Sequence, residues 1–343
     1  KQNNLWGNVN NIPVNPLYEA NVGNKNETKS TNINENFSFD WRILSTLRLN
    51  GRISYTKTAT KNNVFLSPNS ATYKDYGSGL SDVTTDDQLL RGEYTFTQTD
   101  YESFEGNSFL TWAQGFKKHF ITASAGISLS DSKSTIYGFT AQGFGDGDSA
   151  EPAYAHGYKQ GGTPNNSEGH ARLASFFASA NYAYNDRYLV DVSYRLDGSS
   201  EFGSAKKTAP FSSPGIGWNM HNEKFIQDLH FINMLKLRAT YGEVGSVNFS
   251  PYQAKDIYEM TSNDRYDGNI GVILKGLGNE DLRWQNTKSL DLGINVGVFN
   301  IIDITADYYR KTTCDMVLPV TTPPSVGFNS FTDNLGRMRN QGY

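Results

Sequence analysis

The residues of this chain that could carry chemistry are not arranged in the spacings that catalysis requires. Carboxylates are neighbours at Asp86-Asp87 and at Glu280-Asp281, whereas a glycosidase needs two carboxylates separated in space by roughly 5–9.5 Å. The five histidines do not form the His-Glu-x-x-His spacing of a zinc protease. No Gly-x-Ser-x-Gly elbow and no phosphate-binding loop ending in Lys-Ser/Thr is present. We therefore expect no enzyme activity, no catalytic residue, no metal ligand and no cofactor.

Two short segments contain residue types that are common in metal-binding or catalytic sites, and each also has a structural interpretation. Asp146 and Asp148 lie in a Gly-rich loop, but a calcium loop needs more oxygen ligands at fixed spacing. We interpret the segment as a flexible extracellular loop and leave a calcium ion there as an open question. The turn-forming residues Asp197-Gly198-Ser199-Ser200 follow a predicted strand, so we interpret them as a structured loop.

Aromatic residues in the predicted loops are the candidate ligand contacts. Aromatic faces bind sugar rings, and a few polar groups beside them fix the orientation of the ligand. The alternative is that these side chains pack the loops against each other. The candidates are Trp6, Tyr73, Tyr76, Phe144, Tyr154, Tyr158, Tyr252, Tyr258 and Trp284.

The elements that would position these residues show a period of two. Apolar and polar residues alternate along many segments, which is typical of half-buried β-strands. Tight turns near 44–45, 117–118, 185–186 and 300 join successive strands into hairpins. A capping residue before an apolar pair predicts one short helical turn at 222–226. The alternating segments are 37–43, 47–55, 110–112, 121–129, 176–184, 188–194, 235–241, 290–298 and 302–308.

Strand and loop lengths favour a membrane barrel. The predicted strands have about 9–12 residues, which suits a tilted transmembrane strand better than a soluble one. Short turns alternate with long loops at roughly 57–90, 131–170 and 246–285, as periplasmic turns and extracellular loops do in outer-membrane barrels. Tyr and Trp at strand ends suit the aromatic girdles of such a barrel. The sequence thus predicts an all-β fold, part of an antiparallel transmembrane β-barrel wall, although a large sandwich with one wet face has the same alternation.

The composition excludes several other classes of protein. Hydrophobic residues make up 37% of the 343 residues and mean hydropathy is −0.56, and no run approaches the ~18 apolar residues of a membrane helix. Cys314 has no second cysteine to pair with. The formal net charge of −4 gives no electrostatic reason to expect nucleic acid.

A series of motifs in the second half of the chain resembles one family. The segments 187–203, 210–218, 235–242, 279–285, 307–311 and 334–342 occur in the order found in SusC/RagA-type TonB-linked outer-membrane proteins of Bacteroidetes. The resemblance is strong over about 170–343, whereas residues before 170 match only as strands and loops of the same kind. Arg339 stands where the last block of the family usually has an acidic residue. The motif residues, which we expect to be structural, are Arg187, Tyr188, Arg195, Asp197, Gly198, Ser199, Ser200, Phe202, Gly217, Trp218, Tyr241, Gly242, Trp284, Tyr308 and Gly336.

The resemblance implies a function as well as a fold. Members of that family are similar in forming barrels of about 22 strands with an N-terminal plug. They lie in the outer membrane of Gram-negative bacteria, in contact with the lipid bilayer, and pair with a SusD-like surface lipoprotein. They import glycans or oligopeptides with energy from the TonB complex. By this resemblance residues 1–343 are expected to form a central part of one barrel domain, without the plug, the TonB-contact segment or the closing C-terminal strands.

Two other functions remain open at the level of sequence. A soluble β-rich glycan-binding or adhesin module would bury the apolar face of its sheet against a second layer. A β-rich glycoside hydrolase would bring two carboxylates together in a cleft.

Overall fold

A computed structural model describes residues 16–73, 90–145, 147, 150–202, 206–247, 251–328 and 330–343. Strands dominate the described residues, and the helical segments are short. The strands are β1 Lys25–Leu44, β2 Leu47–Leu66, β3 Glu93–Phe116, β4 His119–Gln142, β5 Gly157–Tyr158, β6 Asn165–Tyr184, β7 Tyr188–Ser199, β8 Thr208–Asn219, β9 Ile232–Ser246, β10 Ile257–Tyr266, β11 Asn269–Gly276, β12 Gln285–Val298, β13 Ile302–Cys314, β14 Val317–Thr321, β15 Ser330–Asn334 and β16 Arg337–Gly342. The helices are α1 Pro16–Asn21 and α2 Lys224–Gln227, with 3₁₀ turns at Ala71–Tyr73, Pro152–Tyr154, Met220–Asn222 and Pro324–Val326.

Hydrogen bonding joins most of these strands into one sheet. The order of neighbours within the described residues is β1-β2-β3-β4-β6-β7-β8-β9-β12-β13-β16, and β5 pairs with β4. Two hairpins, β10-β11 and β14-β15, form separate two-stranded sheets. The described part of the chain has no helix that is long and apolar enough to cross a membrane.

The predicted hairpins are confirmed, while the predicted strand ends are wrong. Strands β1, β2 and β6 have 20 residues each, and β3 and β4 have 24 each. They therefore extend into 57–66, 131–142 and 165–170, which the sequence pattern assigned to loops. Polar residues dominate these extensions, and apolar residues such as Val64-Phe65-Leu66 and Ile136-Tyr137 are adjacent in them, so the alternation on which the prediction depended is missing. Backbone hydrogen bonds to neighbouring strands do not require that alternation.

The third predicted loop also contains unpredicted structure. Strands β10 and β11 form a hairpin within 246–285 that turns at Asp267-Gly268, where both residues have positive φ. The short helical segment at 222–226 is confirmed as the 3₁₀ turn Met220–Asn222 followed by α2. The segment Asp197–Ser199 is the end of β7 instead of a loop beyond it, because Asp197 and Gly198 still pair with Ala209 and Thr208 of β8.

The described residues divide into two compact units. The first contains the described residues of 1–34, 56–102 and 133–169. Its core is the cluster of Phe65, Tyr94 and Phe144, in which Phe65 and Phe144 meet edge to face with ring centroids 5.1 Å apart. The Tyr94 hydroxyl donates to Asn63 at 2.9 Å, which satisfies the polar end of a buried ring.

The second unit contains the described residues of 35–55, 103–132 and 170–343 and has a sheet with two chemically different faces. On β7, Tyr188, Val190, Val192, Tyr194 and Leu196 lie on one face and are 38–48% exposed. Their register partners continue this face, which we call the apolar face, across β6, β8, β9, β12 and β13.

The opposite face of this sheet, which we call the polar face, carries the alternate residues. These include Asp191, Ser193 and Arg195 on β7, with Arg238 on β9 and Asp307 on β13. Arg238 donates to the carboxylate of Asp307 across β12, where Gly293 lies between them in the register. The exposed apolar residues of these strands therefore lie on a face that no second sheet layer among the described residues of the unit covers.

Candidate functional site

A cavity of about 600 Å³ opens among residues of β6 to β9 and the segment before β12. The polar-face side chains that line it share short or charged polar groups, and aromatic rings close one side. The lining residues include Ser193, Arg195, Asp197, Phe211 and Trp284. The volume falls within the range of small-molecule sites.

An ion pair forms the charged part of the cavity. Arg195 Nε lies 2.5 Å from Asp197 Oδ1, and Arg195 also donates from Nη2 to Ser175 Oγ at 3.0 Å. Asp197 is buried, with 9% of its side chain exposed, while Arg195 is 48% exposed. The two residues lie on the same face because they are two positions apart on one strand. The ion pair therefore fixes the position of the Arg195 guanidinium at the cavity.

The aromatic side is built from Trp284 and two phenylalanines. Trp284 packs against Phe202 with ring centroids 4.8 Å apart and against Phe211 at 5.9 Å. All three are more than nine-tenths buried. Trp284 was predicted as a ligand contact, and the structure covers its ring with other rings while leaving it at the cavity.

The indole N–H of Trp284 is buried and has no hydrogen-bond partner among the described residues. The buried side-chain carbonyl oxygens of Gln285 and Asn286, the next two residues, are in the same condition. Buried polar groups are rarely left unpaired. Water or a bound polar molecule would supply each missing partner, and of these three residues it is Trp284 that lines the 600 Å³ cavity.

The other candidate ligand contacts are distributed over both units. Phe144 is buried in the core of the first unit and Tyr73 is half-buried. Tyr154, Tyr158, Tyr252 and Tyr258 are 42–63% exposed. Trp284 is the one described candidate at the 600 Å³ cavity. Trp6, Tyr76, Asp146 and Asp148 lie outside the described residues.

Three of the motif residues donate hydrogen bonds to the carboxylate of Glu223, which the sequence pattern did not single out. Glu223 accepts hydrogen bonds from Arg187 Nη1 at 3.1 Å, Tyr188 Oη at 2.9 Å and Trp218 Nε1 at 3.4 Å. Its side chain is 13% exposed. We call this arrangement the Glu223 node. Only the register of β7 with β8, which places Tyr188 opposite Trp218, reveals it.

The remaining motif residues have definite packing roles. Gly217 and Gly242 lie where a Cβ would come within 3.2–3.3 Å of Leu189 and Ser213. Gly336 has φ +99°, between β15 and β16. Tyr241 donates to Glu243 at 2.7 Å, Tyr308 lies on the apolar face opposite Leu292, and Ser200 Oγ accepts from the Arg172 amide.

These observations describe a class of structure: an antiparallel sheet of long, hydrogen-bonded strands with one apolar exposed face and one polar face. That arrangement is the wall of an outer-membrane β-barrel. The comparison with protein families agrees. The model described as "TonB dependent receptor-like, beta-barrel" matches residues 2–343. The chain belongs to this family.

Curated relatives identify the branch of the family. The chain is 31% identical over 261 residues to TonB-dependent receptor P3 of Formosa agariphila, covering 74% of this chain and 25% of that protein. It is 30% identical over 189 residues to the TonB-dependent receptor SusC of Bacteroides thetaiotaomicron, covering 50% of this chain and 18% of that protein. The SusC/RagA resemblance is thus confirmed, and the chain spans a quarter or less of these relatives.

Solved structures show the same fold. The RagAB peptide transporter matches with a TM-score of 0.79 and 25% identity, over 93% of this chain and 34% of that chain. The siderophore receptor PiuA from Acinetobacter baumannii matches with a TM-score of 0.52 at 12% identity, over 91% of this chain and 43% of that chain. The second likeness shows the fold alone.

Proposed function

We propose that residues 1–343 form part of one barrel domain in a SusC/RagA-type transporter of a Gram-negative outer membrane. The transporter imports a nutrient, either a glycan (oligosaccharide) or an oligopeptide. It works with a SusD-like surface lipoprotein and draws energy from the TonB complex. The family, the SusC relative and the RagAB neighbour support this proposal.

The observation that carries the proposal is the two-faced sheet. Val192, Ile216 and Ile304 are 48%, 61% and 54% exposed on the apolar face. Such a band is stable against lipid hydrocarbon and costly against water. The polar face has the charged and hydroxyl side chains that suit a hydrated path for a polar substrate. The sheet can thus separate lipid from an aqueous interior.

A soluble glycan-binding or adhesin module would require a second layer over this band. The described second unit has no such layer on the exposed residues of β7, β8 and β13. We therefore favour the membrane wall over the soluble alternative.

Cell fractionation and growth test the proposal together. We expect the protein in the outer-membrane fraction, and we expect a deletion strain to lose growth on one member of a panel of glycans and peptides. Growth should return when the gene is restored on a plasmid. Recovery of the protein in a soluble fraction, or equal growth of the deletion strain on every member of a panel that covers the natural diet, would contradict it.

The cavity gives a sharper test with a matched control. Ser193→Trp fills space beside Arg195 on the polar face, so uptake of the identified nutrient should fall at an unchanged protein level. Val192→Trp adds the same ring one residue earlier, on the apolar face, and should leave uptake unchanged. Equal uptake by the two variants would show that the cavity does not lie on the transport path.

A further inference from the structure

A small pocket on the apolar-face side of the sheet has a charge pattern unlike its surroundings. Its volume is about 180 Å³, and His170, Arg172, Ser200, Glu201, Tyr252 and Lys255 line it. We call it the basic pocket. It is separate from the cavity at Trp284, since Arg172 and Ser200 alternate with the polar-face residues of β6 and β7.

The strands fix the position of the basic pocket relative to the apolar band. Ile127 and Leu129 on β4 are about half exposed, and Asp131 is the next residue on that face. On β6, Phe176 is exposed and Arg172 follows on the same face four residues away. Two residues of a strand span about 7 Å, and the headgroup layer of a bilayer extends roughly 5–8 Å beyond the hydrocarbon. The pocket therefore lies at headgroup level if the apolar band faces lipid.

Hydrogen bonds to one carboxylate hold two of the lining side chains, His170 and Arg172, in place. Asp131 Oδ1 lies 2.8 Å from His170 Nε2, and Asp131 Oδ2 accepts from Arg172 Nε at 2.7 Å. The Arg172 side chain is still 65% exposed. The one carboxylate thus orients the imidazole of His170 and the guanidinium of Arg172, while most of the Arg172 side chain stays accessible.

The remaining groups complete an anion site. The Lys255 ammonium makes no ion pair within the described part of the chain. The Glu201 carboxyl also lines the pocket, and burial raises its pKa above the ordinary value. Arg172, Lys255 and the Tyr252 hydroxyl supply donors of the kinds that phosphate oxygens accept.

We propose that the basic pocket binds the phosphate of a lipid headgroup in the outer leaflet. This inference rests on the proposed membrane location, because only that location brings lipid to the apolar band. A guanidinium and an ammonium beside hydroxyl groups suit a phosphate, and anionic lipids are recognised by basic pockets of this kind at membrane surfaces.

The test uses the protein extracted from the outer membrane in detergent, with its partner subunits, and stripped of lipid. Native mass spectrometry would follow titration with phosphorylated lipid A, dephosphorylated lipid A and inorganic phosphate. We expect binding of the phosphorylated lipid to be about tenfold or more tighter than binding of the dephosphorylated lipid, as for a charged hydrogen-bonded contact. Inorganic phosphate at millimolar concentration should not displace the lipid.

Two variants and a control complete the design. Lys255→Gln, which leaves the Asp131 hydrogen bonds intact, and the double variant with Arg172→Gln should each lose the preference for phosphorylated lipid. Arg310→Gln removes an exposed cation on the apolar face of β13 and should keep the preference. An unchanged preference in the double variant, or equal binding of both lipids by the natural protein, would overturn the proposal that the basic pocket binds lipid phosphate. Full displacement of the lipid by inorganic phosphate would show that the pocket binds the free ion instead. Absence from the outer membrane would contradict the proposed function before any lipid is added.

Discussion

At the scale of single residues, a few side chains connect elements that are distant in the sequence. The Glu223 node joins the start of β7 and the end of β8 through one carboxylate. The ring of Phe211 on β8 fills the space that a Cβ of Gly245 on β9 would occupy. Each contact depends on one residue, so a single substitution should reveal how much that contact contributes to stability.

Glu223→Ala should destabilise the protein because it leaves three donors without their acceptor. Loss of hydrogen bonds to a charged group costs about 1.5–3 kcal/mol. Glu223→Gln keeps an acceptor oxygen and should cost less. Urea unfolding in detergent micelles measures the difference. Glu280→Gln changes an exposed carboxylate and should have no effect, and an equal loss in that control would show that the node has no special role.

Gly245→Ala should disturb the aromatic side of the cavity. The added Cβ would collide with the Phe211 ring, which already packs against Trp284. Overpacking of this kind costs about 1–3 kcal/mol. Gly157 has nothing within 4 Å of an added Cβ, so Gly157→Ala serves as the control in the same thermal unfolding assay. Equal stability of the two variants would mean that the ring moves aside freely.

At the scale of elements, the tight turns set the register of the hairpins. Asn185 and Asp186 between β6 and β7 have φ +50° and +53°. This left-handed region suits Asn, Asp and Gly. The Asp186 carbonyl also accepts from Asn219 and Asn222 at 2.8 and 2.9 Å, which ties the turn to the end of β8.

A β-branched residue in this turn should strain it. Asp186→Val should cost about 1–2 kcal/mol, because a β-branched side chain is poorly tolerated at positive φ. Asp186→Gly has no such penalty and keeps the backbone carbonyl, so it should remain close to the natural stability. Refolding yield and denaturant midpoint in lipid vesicles measure both variants. A neutral Asp186→Val would indicate that the turn adopts another geometry in the membrane.

At the scale of the whole molecule, the proposed function predicts that the two faces of the sheet meet different solvents. Val192→Arg places a cation on the apolar face near the middle of β7, where the cost in lipid is about 2–4 kcal/mol. Ser193→Arg places the same side chain one residue later on the polar face, where water can solvate it. Unfolding free energies in lipid vesicles should therefore differ by that amount. Equal values for the two variants would refute the assignment of the faces.

The sequence by itself determined the local alternation and hence the two faces. The segments from Tyr188 to Tyr194 and from Leu290 to Tyr308 show the period of two, and their hairpins follow from it. Motifs such as Arg187-Tyr188 also indicated the family that the comparison confirms. These features are readable because each depends on neighbours in the chain.

Only the tertiary structure decided the strand ends, the Glu223 node, the cavity at Trp284 and the basic pocket. The ends of β2, β4 and β6 that lie in the predicted loops are held by backbone pairing with neighbouring strands, which leaves no period of two in the sequence. Glu223 lies 36 positions from Arg187, and Asp131 lies 39 positions from His170. Contacts over such separations are fixed by the register between strands, and a register shifted by one residue would turn Asp131 on β4 or His170 on β6 to the other face.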